Sequence, residues 1–159
     1  MKITQGKWFW LGVLLVISFN VNSQNLTLVD SIYAPESSAS MLMNGTSMSV
    51  DGNTMFVFAD RKNGSELKRI VLVHQRQTTS KWIVVQELTS SSISGSFGTQ
   101  LAIHGDYAVI SASESGFHIY ERNSQGLWEE VQWLNGYNGS VAIHGERIVT
   151  GDSLHVYNH

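Results

Sequence analysis

A turn motif that occurs three times constrains this chain more than any other feature. SMSVDGNTMFVFA surrounds Gly52, QLAIHGDYAVISA surrounds Gly105 and SVAIHGERIVTGD surrounds Gly145, at offsets of 53 and 40 residues. A second motif, W-x-x-V-Q-x-L, begins at Trp82 and again at Trp128, 46 residues on, and Arg76 and Arg122 keep the same offset. Insertions in a true tandem repeat fall in single loops. Here the seven-residue difference falls in Asp60 to Leu67, which reads as a loop. One such unit cannot bury both of its faces alone, so the copies must stack.

The fullest copy runs from Gly95 to Leu134 and reads as four strands: Gln100 to Ile103, Tyr107 to Ala112, Phe117 to Arg122 and Leu127 to Leu134. Short runs of β-branched and aromatic residues, bounded by Gly, Asn, Ser and Asp, are the strand signal. Alternation puts Phe117 and Ile119 on one face and His118 and Tyr120 on the other. No 3.6-residue period persists, so the expected fold is all-β, built of tandem four-stranded antiparallel blades. The repeats span about 42–89, 95–134 and 138–159. The third stops after Leu154 to Tyr157, which matches Phe117 to Tyr120. An orphan strand at Leu26 to Ile32 would supply its missing fourth strand. Ser-rich Tyr33 to Met41 and Thr89 to Ser96 read as connectors.

The start of the chain reads as a signal peptide spanning residues 1–23. Lys2 and Lys7 precede a 12-residue apolar run, Trp8 to Phe19, and small or neutral residues end at Ser23. Twelve residues are too few to cross a bilayer, which needs about 20. The expected destination is secreted, periplasmic or cell envelope, with no membrane insertion after cleavage. Cysteine is absent, so no disulfide framework holds the fold together. Cleavage leaves 8 basic residues against 13 acidic ones, with no basic cluster, which argues against nucleic-acid binding.

With the repeat on the page, a family likeness is visible. Phe97-Gly98, followed by LAIHGDYAVISA, FHIYER and WEEVQWL, resembles the FG-GAP repeat of bacterial exported proteins and of the integrin α-chain propeller. NGSVAIHGERIVTG is similar to it. The likeness covers most of Asn44 to Tyr157 and is weakest in the first unit, where Asn44-Gly45 stands in place of Phe-Gly. It implies one four-stranded blade per repeat and a partial β-propeller of about three blades. A closed ring has typically 4 to 8. The chain would therefore form an open arc with exposed ends, complete a ring as a homodimer, or represent a propeller fragment.

Many repeats of that family carry a calcium loop, but calcium needs several converging oxygens. Glu114 and Asp152 are single carboxylates in the matching loops, and Asp60-Arg61-Lys62-Asn63-Gly64 carries a repelling Arg-Lys pair. No cofactor or metal is expected.

His104 and His144 occupy equivalent turn positions, where neighbouring-blade geometry is expected to hold them too far apart to share an ion. His118 and His155 are equivalent within strands and are the better binding candidates. Trp133 and Tyr137 flank Asn135-Gly136 and join them: exposed, they would stack on a sugar, whereas inside they would pack between blades. Glu129-Glu130 sits on a strand whose neighbours face opposite ways, which disfavours a paired-carboxylate site. The sequence holds no G-x-S-x-G elbow, phosphate loop or H-E-x-x-H motif. The expected function is a non-enzymatic binding or adhesion module recognising protein or glycan at the cell surface. The alternatives are a hydrolase or lyase acting on extracellular polysaccharide and a degenerate propeller fragment without independent function.

Overall fold

The computed structural model describes residues 41–42, 47–79, 81–90, 96–112, 116–135, 139–145, 147–151 and 154–158; for 41–42, 63 and 154–158 it describes the backbone alone. Every regular element among them is a strand, and no helix is long and apolar enough to cross a membrane. Sheet one holds β1 (Met41–Leu42), β2 (Met48–Asp51), β3 (Thr54–Asn63), β4 (Glu66–Thr78) and β5 (Lys81–Leu88). Sheet two holds β6 (Phe97–His104), β7 (Tyr107–Ala112), β8 (Gly116–Arg122) and β9 (Trp128–Leu134). Sheet three holds β10 (Ser140–His144), β11 (Arg147–Gly151) and β12 (Leu154–Asn158). All pairings are antiparallel, and each sheet contains a meander of consecutive strands.

The all-β, antiparallel expectation holds, with three differences in detail. Asp60 to Leu67 is no loop: β3 and β4 run on as a ladder through Asp60↔Arg69 to Asn63↔Glu66 and turn at Gly64. The insertion is absorbed as a longer hairpin because the added residues continue the pairing instead of interrupting it. β6 begins at Phe97, ahead of Gln100, with an irregular register between Phe97 and Leu101. Met41 and Leu42, at the edge of a presumed connector, pair with Arg61 and Asp60 beside β2. Leu26 to Ile32 and the leader lie outside the described residues.

Sheet two is the middle layer, and alternation along its strands decides which neighbour each residue meets. Ala108, Ile110, Tyr120 and Trp128 share a core with Phe56, Phe58, Val71 and Val73 of sheet one. Val109, Phe117 and Ile119 turn the other way and pack with Ile148 of sheet three. Each large buried side chain contributes about 1.5–3 kcal/mol relative to exposure. Trp128 anchors the first interface: it is buried and meets Phe56 edge-on, ring centroids 5.0 Å apart. Gly98 lets the chain approach sheet one closely. Its φ is +88°, and a Cβ there would lie 2.7 Å from Phe58 Cδ2.

Local geometry recurs between sheets one and two. Trp82 pairs across the ladder with Arg76, and Trp128 with Arg122; each guanidinium carbon lies over its indole, at 5.7 and 5.6 Å. The Arg76 backbone N–H and Nε donate to Asn53 at the preceding turn, and those of Arg122 donate to Asp106. Both fourth strands bulge at the Val of W-x-x-V-Q-x-L, since the register skips Val85 and Val131.

Polar clips join neighbouring sheets. The Gln86 amide donates to the Trp128 carbonyl and accepts from the Trp128 N–H, both at 2.8 Å. Toward the turns, Gly105 N–H donates to Asp51 Oδ2 at 2.6 Å, and Gly145 N–H donates to His104 Nδ1 at 3.2 Å. The residue before one sheet's turn glycine thus satisfies the next sheet's turn glycine, and Ser49 does the same for Ile103 N–H. These bonds occupy edge donors that would otherwise invite foreign strands.

On the face of sheet one that turns away from sheet two, Ala59, Ile70, Leu72 and His74 are buried, while Met48 and Val50 on β2 are 60% and 61% exposed. Neither ring nitrogen of His74 makes a well-formed hydrogen bond. Burial lowers its pKa below the ordinary 6.5, and the Leu72 backbone offsets this only in part.

Two measurements check this account. Gln86→Ala removes both clip bonds and strands two polar groups, which is expected to cost about 1–3 kcal/mol in urea unfolding. Gln132→Ala, at the matching but exposed position of sheet two, is expected to change stability by less than about 0.5 kcal/mol. The second concerns His74. Below pH 6.5 the unfolded chain takes up a proton there that the folded chain refuses, so stability present at neutral pH is lost as pH falls. His74→Leu is expected to flatten the melting-temperature profile between pH 7 and about pH 5; an unchanged slope would refute the assignment.

Candidate functional site

Two groups of polar side chains stand out from the stacked sheets. The first lies on the face of sheet two that turns toward sheet one. His118 is 1% exposed and wedged between two aromatics: Trp133 stacks on it at 6.2 Å and 12°, and Phe97 meets it edge-on at 5.5 Å. His118 Nδ1 lies 3.0 Å from Glu130 Oε1. An ionised carboxylate only accepts, so Nδ1 is the donor in this bond. Nε2 is buried and has no hydrogen-bond partner.

Tyr120 completes the group. It pairs with Glu130 across β8 and β9, and burial, followed by the charge of Glu130 and a hydrogen bond to it, raises the pKa of its phenol. Glu130 therefore accepts from both Tyr120 and His118 while its own side chain is 28% exposed. Trp133 is 47% exposed. The result is a half-exposed indole stacked on a buried imidazole, with a carboxylate on the far side of that imidazole.

Of the residues the sequence suggested, the structure brings His118 and Trp133 into one stack. The backbone of His155 pairs with Thr150 in sheet three, matching the His118↔Ile110 pairing of sheet two, but its side chain and all of Tyr137 lie outside the described residues. Sequence reading placed Tyr120 on the face of His118 but made neither it nor Glu130 a site residue. Strict alternation back from Trp133 puts Val131 and Glu129 on its face; the bulge at Val131 shifts the register, and Glu130 joins Trp133 instead. Glu129 and Glu130 do face opposite ways, as alternation requires. Glu129 pairs with Glu121 and accepts from Asn123 Nδ2.

The second group corrects an expectation. His104 and His144 are not widely separated: their rings lie 4.7 Å apart at 62°, because β6 and β10 run side by side. The Nδ1 of His104 is nevertheless engaged by Gly145 N–H, which makes this imidazole a peg between sheets. Among the described residues no group of three or more His, Asp or Glu side chains is placed to hold a metal ion. In the segment closest to a calcium loop, Arg61 is paired with Glu87 and Asp60 with Arg69.

A depression of about 330 Å³ opens on the opposite side of β9 from Trp133, lined by Glu121, Arg122, Asn123, Ser124, Glu129 and Val131. Several of its polar groups are engaged: Tyr107 donates to Glu121, Arg122 pairs with Asp106, and Asn123 donates to Glu129. The Trp133 face is therefore the stronger site. None of the family models, curated proteins and solved structures compared with this chain matches it.

Tyr120 yields a spectroscopic check. Its phenol is expected to stay protonated above pH 10, so ultraviolet titration should show a tyrosine whose ionisation is delayed beyond the ordinary range. The unfolded chain loses that proton near pH 10 and the folded chain holds it, so stability falls as pH rises beyond 10. Glu130→Gln removes the charge and is expected to advance the delayed tyrosine.

Proposed function

We propose that the chain is an exported, non-enzymatic binding module of β-propeller type that recognises a glycan on the Trp133 face of sheet two. The observation that carries this reading is the indole itself, half-exposed and stacked on the buried His118 ring. An aromatic surface ordered before binding pays little entropy when a sugar stacks on it. The run from Lys2 to Ser23 supports export. Three consecutive meanders, stacked faces and neighbouring first strands support blades of a partial propeller. The FG-GAP likeness supports the same reading, and its Phe97-Gly98 pair sits where sheet two packs closely on sheet one.

Binding is favoured over hydrolysis or elimination by the state of the polar groups. A general acid or base must reach the proton it moves. His118 Nε2 is sealed from solvent, and Tyr120 holds its proton more tightly than an ordinary phenol.

Trp133→Ala is expected to weaken glycan binding by about tenfold or more in calorimetry, the scale of a lost aromatic stack. Its thermal melt is expected to remain cooperative with a lowered midpoint, because the indole also covers the buried His118 ring. Undiminished glycan binding by this variant, or binding of a protein ligand alone, would sink the proposal.

A further inference from the structure

We infer that the seam between sheets two and three is an acid-released latch. When His104 takes up a proton, the turn between β10 and β11 loses its anchor and sheet three loosens, while the seam between sheets one and two stays closed. The basis is a difference between two equivalent bonds. In both seams the side chain before one turn glycine accepts from the turn glycine of the next sheet: Asp51 Oδ2 from Gly105 N–H at 2.6 Å, and His104 Nδ1 from Gly145 N–H at 3.2 Å. Because Nδ1 accepts, it carries no proton, and the His104 ring is neutral in this arrangement. A carboxyl group keeps an acceptor oxygen even when protonated, whereas an imidazolium has two donors and no acceptor. Imidazoles ordinarily gain their proton between about pH 8 and pH 5, the range in which such a latch responds.

Proton uptake turns the Nδ1 acceptor into a donor aimed at a second donor, the Gly145 N–H. His144, whose ring centroid lies 4.7 Å from that of His104, adds a like charge once it is protonated too. The other titratable and charged groups around His104 have partners of their own. Tyr107, opposite it across β6 and β7, donates to Glu121. Asp51 is bonded to Gly105, Asp106 is paired with Arg122, and Arg147 sits opposite His144 across β10 and β11. Glu146 lies outside the described residues. The apolar contact left to hold this seam is modest: Ile148, with the partly buried Val141 and Ile143, meets Val109, Phe117 and Ile119. Thr150 adds a buried hydroxyl without a hydrogen-bond partner, which weakens the packing further. Sheets one and two share a larger core, and the Gln86 amide holds Trp128 there through two bonds that do not titrate.

The test reads residue-resolved amide exchange by NMR on the intact chain, corrected for intrinsic exchange, from about pH 7.5 to about pH 5. Protection of Gly145 and of the β10 and β11 amides is expected to fall about fivefold, the scale of one lost hydrogen bond. The fall should follow the proton uptake of His104 recorded in the same titration. Gly105, held by Asp51, should change by less than about twofold. His104→Asn sets a non-titrating oxygen acceptor at the same point along the side chain, so protection of Gly145 is expected to stay level across the range. His104→Ala removes the bond, and exchange should be fast at both ends. His74, the other acid-sensitive imidazole, lies in sheet one, so the same fall in a His74→Leu chain separates the latch from it. Protection that holds to pH 5 in the parent, or falls equally in His104→Asn, overturns the inference. Should His104→Asn fold poorly, a Gly145 midpoint that departs from the His104 midpoint in the parent overturns it as well.

Discussion

Everything in this molecule depends on burying both faces of sheet two. An isolated antiparallel sheet has an apolar face it cannot shield, and here the middle sheet has two. Phe56, Phe58, Val71 and Val73 cover one; Ile148, Val141 and Ile143 cover the other. The Gln86 amide, bonded to both backbone groups of Trp128, keeps the polar atoms at that seam satisfied. Apolar contact supplies the driving force, and the amide clip sets the register between layers, since only one offset satisfies both of its bonds.

The same seam creates the surface proposed for binding. β9 is the last strand of its sheet, so residues near its end emerge from the core instead of ending within it. Trp128 at its start is buried, and Trp133, five residues on, is about half exposed. Between them the bulge rotates the strand and aligns Glu130 with His118 and Tyr120. Buried and exposed positions are thus divided along seven residues by depth. The corresponding stretch of sheet one takes another course: Glu87 stands at the position of Trp133 and is neutralised by Arg61. A shared scaffold with different surface residues is how one fold carries a site on a single repeat.

Buried histidines mark where this packing is least comfortable. His74 and His118 each carry ring nitrogens without partners, a cost that apolar side chains would avoid. For His118 the aromatic sandwich and the Glu130 bond offset part of it. His74 has no comparable support, which ties the stability of sheet one to pH. His104 plays a different part, accepting from Gly145 N–H at the exposed turn between sheets two and three.

Much of the fold was legible in the residues alone. Gly-centred turns, alternating strands and the doubled W-x-x-V-Q-x-L motif determined an all-β chain of stacked antiparallel units, because turn chemistry and period-two patterning are local properties. The faces of Phe117, His118, Ile119 and Tyr120 followed from alternation. Tertiary structure decided what depends on register and distance. It turned Asp60 to Leu67 into paired strand and brought the His104 and His144 rings together. It also moved Glu130 onto the face of Trp133. The physical reason is the same in each case: one extra residue in a ladder, or two strands lying side by side, reassigns neighbours without altering the pattern of oily and polar residues along the chain.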